Sequence, residues 1–516
     1  MLSKVLSGAT YGVSAYVVEV ETHLERAIPA FSIVGLPDNA VRESRGRIAA
    51  AVRNSGFEFP ARKLTVNLAP ADIRKEGSSF DLPMAIGILA ASDQVTRAPL
   101  REFVMIGELA LDGSLRPVHG TLPIAMEVRR REIAGLLLPS ENGREASMVR
   151  EVAVYPMSSL RDVVSFLNAG EGRPGPLRID VADLFTAVQT CSADFADVKG
   201  QETVKRALEV AAAGAHNIIM IGPPGSGKSM LAKRVPTILP PMSFDEALET
   251  TKIHSVAGLL PPGEALVMRR PFRSPHHTIS DAALVGGGIV PGAGEISLAH
   301  NGVLFLDELP EFARSVLEVL RQPLEEGHVM INRLKCSIDF PANFMLVCAM
   351  NPCPCGYYTD PAKVCTCQSG EIQKYLSRIS GPLLDRIDLH IEVPAVKYRD
   401  LAGSEPGETS AGIRSRVARA REIQSARFRG RQGLYANAGM QTGEIRRFCR
   451  LDSAGEELLK TAMTKIGLSA RAYDRILKVG RTIADLAGSD GIRPEHIGEA
   501  IQYRSLDRNM FDGMRA

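Results

Sequence analysis

The stretch Gly222-Pro223-Pro224-Gly225-Ser226-Gly227-Lys228-Ser229 narrows what this chain can fold into more than any other. An apolar run, Ile218-Ile219-Met220-Ile221, precedes it, and Met230-Leu231-Ala232-Lys233 follows with residues that suit a helix start. A strand, a glycine-rich turn and a helix are the setting of a phosphate-binding loop. Glycines let backbone N–H groups turn inward, and the helix N-terminus adds partial positive charge. In such a loop Lys228 reaches the β- and γ-phosphates and Ser229 holds Mg²⁺. The expectation is an ATP site with Gly222 to Ser229 as its cradle.

Two further apolar runs fit that site. Gly302-Val303-Leu304-Phe305-Leu306-Asp307-Glu308 reads as a buried parallel strand ending in two carboxylates. Asp307 would hold the water shell of Mg²⁺, and Glu308 would orient or deprotonate the attacking water. Two acids after an apolar run say little alone, but downstream of a phosphate loop they point to nucleotide hydrolysis. Phe344 to Pro352 reads as another buried strand, ending at Asn351.

These motifs resemble AAA+ ATPases. The resemblance makes Asn351 the sensor-1 residue that aligns the lytic water. Asp194 to Gln201, with a helix from Glu202 to Ala213, resembles the segment that packs near the adenine. Ser377 to Asp388 resembles the box that carries an arginine finger, with Arg386 the first choice and Arg378 the reserve. A finger stabilises transition-state charge on the ATP of a neighbouring subunit. The plainer alternative is an arginine paired in its own chain with Asp385 or Asp388. Ser469 to Arg475 opens a helix similar to the sensor-2 helix of the lid, with Arg471 touching the γ-phosphate.

Before the ATPase segment, residues 1-168 read as an α+β domain, with strands at Tyr16–Val20, Phe31–Val34 and Leu64–Leu68 and helices at Asn39–Asn54 and Leu82–Ser92. Met1 to Thr22 reads as a strand and lacks the apolar core of a signal peptide. Asp72 to Pro83 and Ile106 to Pro117 resemble the proteolytic domain of Lon-type proteases, which has the fold of domain 2 of ribosomal protein S5. Ser79 falls near that family's catalytic serine, whereas its lysine position falls at about Leu122. A serine without a base is a poor nucleophile, so this domain is expected to be non-catalytic. Arg129-Arg130-Arg131 reads as a solvated helix end.

Residues 169-193 are rich in glycine and proline at their start and read as a linker. The ATPase core is placed at 194-400 and a helical lid at 401-516. The core carries two inserts. One spans Pro271 to Thr278 and then Val285 to Ile296, a glycine-rich stretch with Gly287 and Gly288 at its centre. The other is a hairpin, Val329 to Phe340, with Arg333 and Lys335 near its tip. Together they resemble the helix-2 insert clade of magnesium chelatase subunits and MCM helicases.

A Lon-like domain joined to such a module is similar to the ComM/YifB family of magnesium-chelatase-like proteins. That resemblance implies a hexameric ring that moves along single- and double-stranded DNA. It implies branch migration of junctions formed during natural transformation. In that picture Arg333, Lys335, Gly287 and Gly288 line a pore and grip phosphates without reading sequence. Two rival readings stay open: a chelatase-type assembly factor that remodels a protein partner, and a scaffold that does not hydrolyse ATP.

Composition sets limits on these readings. The chain has 516 residues, 45% hydrophobic and 23% charged, with a net charge of +2, so any nucleic-acid surface must be local. Ala411 to Arg431 carries seven arginines against one acid, either an exposed helix or a basic face for nucleic acid. Nothing resembles a membrane span. Eight cysteines with no obvious pairing suit a reducing cytoplasm. Four of them, Cys353, Cys355, Cys365 and Cys367, crowd into one stretch. They suit either a structural zinc site or reduced, unliganded thiols. Adjacent His276 and His277 share one metal poorly and read as structural or interface residues.

Overall fold

The computed structural model describes residues 1–179, 193–261, 263–288, 291–333, 336–358, 360, 363–395, 407–431, 433–466 and 469–504. The chain divides into two compact units. One comprises Met1–Val188 with Ser243–Met268 and Asn332–Phe340; the other comprises Gln189–Met242, Arg269–Ile331 and Pro341–Ala516.

The first unit is built on a mixed seven-stranded sheet. Its strand order is Ala30–Val34, Lys63–Ala69, Ser14–Glu25, Leu2–Tyr11, Phe103–Met105, Gly135–Pro139 and Ala153–Met157. The N-terminal residues expected to form one strand form two, paired antiparallel from Leu2↔His23 to Tyr11↔Ser14. Gly12, at φ +58°, makes the tight reversal that splits them. Alternating polarity marked the strands, but nothing apolar or polar marked the turn. The helix Asp81–Ala91 is buried along its whole length, which is why its sequence is apolar all round after Asp81, whose buried carboxylate pairs with Arg47 at 3.0 Å. The helix Asn39–Asn54 is capped by Asp38, whose side chain accepts from the Val41 N–H.

The second unit holds a five-stranded parallel sheet in the order Phe272–Arg273, Val303–Leu306, Met345–Met350, Ile218–Ile221, Leu389–Glu392. Its three central strands are entirely buried, as continuous apolar runs require in a parallel sheet. The strand Ile218–Ile221 is central, so the loop that follows it emerges at the carboxyl edge of the sheet. The strands ending at Leu306 and Met350 deliver their own C-terminal residues to that same edge. The C-terminal region is helical, with helices at Ser410–Arg427, Thr442–Phe448, Ser453–Ile466, Ala470–Leu486 and Pro494–Gln502. The architecture is mixed α/β, a parallel sheet followed by a helical region.

No helix among the described residues is long and apolar enough to cross a membrane.

Candidate nucleotide site

Gly225 and Gly227 take φ of +75° and +87°, the left-handed turns that wrap the loop into a cradle. Gly222 leaves no room for a side chain, since a Cβ there would lie 2.1 Å from the Val393 carbonyl oxygen. The helix Lys228–Ile238 starts directly after Gly227. The Lys228 Nζ folds back onto its own loop and donates to the carbonyls of Gly222 at 2.7 Å and Pro223 at 2.9 Å. It also lies 3.2 Å from Asn351 Oδ1. Burial lowers the Lys228 pKa, and the charge of Asp307 works against that shift.

The Ser229 hydroxyl donates to Asp307 Oδ2 at 2.5 Å. A serine hydroxyl and a carboxylate at one point are hard oxygen donors, the kind Mg²⁺ takes. Glu308 sits one residue on in the left-handed region, at φ +53°, with a mostly exposed side chain. In that turn the Glu308 N–H donates to Asp307 Oδ1 at 3.0 Å. The loop, Asp307, Glu308 and Asn351 therefore meet at one edge of the sheet.

Three features of this edge could not be read from spacing. Gln201, itself left-handed, donates from its side-chain amide to the Ser226 carbonyl at 2.7 Å and to the Pro394 carbonyl at 3.3 Å. It ties the segment before the helix Glu202–Gly214 to the phosphate loop. His277 Nδ1 lies 3.5 Å from Glu308 Oε2. Its ring lies 4.1 Å from that of His276, tilted by 34°, and meets Phe312 edge-on. The Arg273–Glu295 ion pair, 2.6 Å for each of two hydrogen bonds, pins the start of the first insert.

The arginines expected as fingers, Arg386 and Arg378, and as sensor 2, Arg471, are held by other partners in the same unit. Arg386 is nearly buried and is tied within its own chain, to the carboxylate of Glu325 and, at 2.6 Å, to the Pro382 carbonyl. The expected alternative partners do not hold it. Asp388 instead pairs with Arg475 and approaches His216, and Arg475 and His216 hold its carboxyl well below the usual range against the effect of burial. Arg378 is about half exposed and bonds the Pro310 carbonyl at 3.1 Å and Glu311 at 2.9 Å. Arg471 is largely exposed, 3.7 Å from Asp385. Among the contacts of the described residues, none joins Arg471 to Gly222–Ser229.

The glycine-rich insert is a short hairpin, Gly286–Gly287 paired with Gly292–Ala293, in which Gly287 and Gly288 take positive φ. The second hairpin pairs His328–Arg333 with Cys336–Pro341. Lys335 lies outside the described residues, as does the side chain of Arg333. The arginine-rich helix Ser410–Arg427 turns several of its cations inward: Arg416 to Glu209 and Glu408, Arg421 to the Ala212 carbonyl, Arg427 to Asp485. That arrangement fits a packed lid helix better than a free basic face. Arg130 and Arg131 likewise pair with Glu127 at a helix end. Leu122, at the position where a Lon-type lysine would stand, is an apolar buried helix residue and supplies no base.

The four clustered cysteines converge. Cys353, Cys355, Cys365 and Cys367 place their sulfurs within 4.8 Å of one another. Cys353 to Cys355 is 3.3 Å, Cys355 to Cys365 is 3.5 Å and Cys353 to Cys365 is 3.7 Å.

The site and fold together define a P-loop protein of the AAA+ class. Family models of the magnesium chelatase subunit ChlI match residues 194–401 and 20–142, and a model of its C-terminal region matches 407–504. Competence protein ComM of Haemophilus influenzae is 48% identical over 515 residues, 98% of each chain. The uncharacterized protein YifB of Escherichia coli is 44% identical over 508 residues, again 98% of each. The magnesium-chelatase 67 kDa subunit of Chlorobaculum tepidum is 28% identical over 162 residues, 31% of this chain and 23% of that protein. The chain belongs to the ComM/YifB family of magnesium-chelatase-like proteins. Membership of that AAA+ family suggests ATPase activity and implies ATP and Mg²⁺.

Proposed function

We propose that this protein is a ring-forming, ATP-driven DNA motor that migrates branched recombination intermediates during natural transformation. The observation that carries the reading is the convergence of Lys228, Ser229, Asp307 and Asn351 at one sheet edge, within a chain that aligns end to end with a competence protein. Lys228 releases the Gly222 and Pro223 carbonyls to meet the β- and γ-phosphates. Ser229 and Asp307 hold Mg²⁺, which supplies charge neutralisation at the phosphates. Glu308 takes the proton of the attacking water, and Asn351 orients that water.

In this reading ATP sits between copies of the chain, as a hexamer. Arg386 acts on the neighbour's nucleotide, which requires Glu325 to release it; Arg378, more exposed, is the second choice. Arg471, as the sensor-2 residue, reaches the γ-phosphate, which requires it to leave Asp385. Gly287, Gly288, Arg333 and Lys335 contact the DNA backbone, single- or double-stranded. Branch migration on three- and four-strand junctions, with Lys228→Ala as control, tests the reading. ATP-dependent strand exchange that vanishes in the variant supports it. Intact ATP turnover with no junction movement rejects it.

One observation favours a second reading, a chelatase-type assembly factor remodelling a protein partner: all three matching family models describe the magnesium chelatase subunit ChlI. ATPase activity indifferent to every DNA form favours that reading.

A further inference from the structure

We infer that the four-cysteine cluster is a structural zinc site that braces the phosphate loop, so that metal occupancy sets nucleotide affinity. The inference rests on the nucleotide-site reading above.

The sulfur separations decide the chemistry. A tetrahedral Zn²⁺ with bonds of about 2.3 Å puts its thiolates roughly 3.8 Å apart. The observed 3.3–3.7 Å among Cys353, Cys355 and Cys365 is near that edge length. It is far beyond the roughly 2.05 Å of a disulfide. Backbone donors also point at sulfur: Gly356 N–H to Cys353 Sγ at 3.2 Å, and Cys355 N–H to Cys367 Sγ at 3.4 Å. N–H groups aimed at sulfur offset the negative charge that four thiolates bring to one cation. Four soft donors, with no fifth His, Cys, Asp or Glu grouped with them among the described residues, select a closed, structural Zn²⁺ site rather than a catalytic one.

The site touches the nucleotide loop at two places. Cys353-Pro354-Cys355-Gly356 is a turn closed by Gly356 N–H to the Cys353 carbonyl at 3.0 Å. Gly356, at φ +87°, lies flat against the phosphate loop: a Cβ there would come within 2.4 Å of Pro224 Cδ and 2.7 Å of Pro224 Cγ. The second contact runs through the strand. Asn351 stands two residues before Cys353 and meets Lys228 at 3.2 Å, while the Gly222 N–H bonds the Met350 carbonyl at 3.2 Å. The metal fixes the turn, the turn walls Pro224, and the same short segment positions Asn351. Without the metal, only the turn's own hydrogen bond and the N–H contacts to sulfur hold the four ligands, and the wall behind Pro224 loosens.

The test uses the whole protein. Metal analysis is expected to find about one Zn²⁺ per chain, and Co²⁺ substitution to give the visible bands of a tetrahedral tetrathiolate site. A soft nitrogen-donor chelator that spares Mg²⁺ is expected to weaken fluorescent-ATP binding about tenfold, about 1.4 kcal/mol, and added Zn²⁺ to restore it. Cys365→Ser with Cys367→Ser is expected to lose the metal and the affinity together. Gly356→Ala guards against a variant that simply fails to fold: it keeps its Zn²⁺ yet binds nucleotide more weakly. No metal in the purified protein and no Co²⁺ spectrum overturns the site. Equal ATP affinity with and without Zn²⁺, or in Gly356→Ala, overturns the brace alone. Zinc-loaded protein that binds no nucleotide overturns the brace and the proposed function together.

Discussion

His277 and Glu308 form a contact that bears directly on turnover. The Glu308 backbone is held in its left-handed turn by its own N–H, which donates to Asp307 Oδ1 at 3.0 Å, and its carboxylate lies 3.5 Å from the His277 imidazole. If Glu308 is the general base, Glu308→Gln should retain ATP binding while phosphate release falls by about 10²- to 10³-fold. His277→Ala should lower kcat by about three- to tenfold with KM little changed, because the imidazole orients the carboxylate and not the nucleotide. His277→Asn, which keeps a donor, should recover part of the loss; a KM effect in place of a kcat effect would rule the role out. The phosphate loop, Asp307 and Asn351 were legible in the sequence because each is set by local spacing: a strand, then the residue at its end. The His277–Glu308 contact and the Arg386–Glu325 pair were not. Each joins residues tens of positions apart, and no local pattern records which charge a folded arginine will find. The two histidines were read only as structural or interface residues.

At the level of elements, the helix Thr121–Arg130 has a specific weakness. Its first turn is satisfied by Glu145, which accepts from the Leu122 N–H at 2.9 Å and from the Ser255 hydroxyl at 2.5 Å. Burial raises the Glu145 pKa, and these donors only partly offset it. The folded state therefore holds its proton to higher pH than the unfolded chain does. Stability from this group is full below the ordinary value of 4.5 and is lost as pH rises through the raised one. Glu145→Gln keeps an oxygen for both donors and removes the buried charge. Denaturant midpoints measured across the acid-to-neutral range should fall with pH in the unmodified protein and flatten in the variant; parallel curves would exclude Glu145 as the cause. Strands and helices were readable here from alternation and from helical spacing. The reversal at Gly12 was not, because a two-residue turn carries too little sequence to stand out from the strands around it. The helix Asp81–Ala91 was readable as a helix but not as a fully buried one until its sheet was in place.

On the scale of the whole molecule, the units do not follow chain order. Ser243–Met268 and Asn332–Phe340, both within the stretch read as the ATPase core, group with Met1–Val188 in one unit. Sequence reading divides a chain at linkers, and an excursion that leaves one body and returns leaves no linker to find. The ring reading makes its own prediction at this scale. With ATP and Mg²⁺ the protein should assemble from smaller species to hexamers by light scattering, and Arg386→Ala should assemble yet hydrolyse about 10³-fold more slowly. A variant that turns over normally would remove Arg386 from the interface and turn attention to Arg378. The central claim is that ATP hydrolysis at this site is coupled to DNA. It is tested most directly by the steady-state ATPase rate of the intact protein with and without single-stranded DNA. The account predicts a rate that rises with DNA and disappears in Lys228→Ala; a rate unchanged by any DNA, or one that survives loss of Lys228, would contradict it.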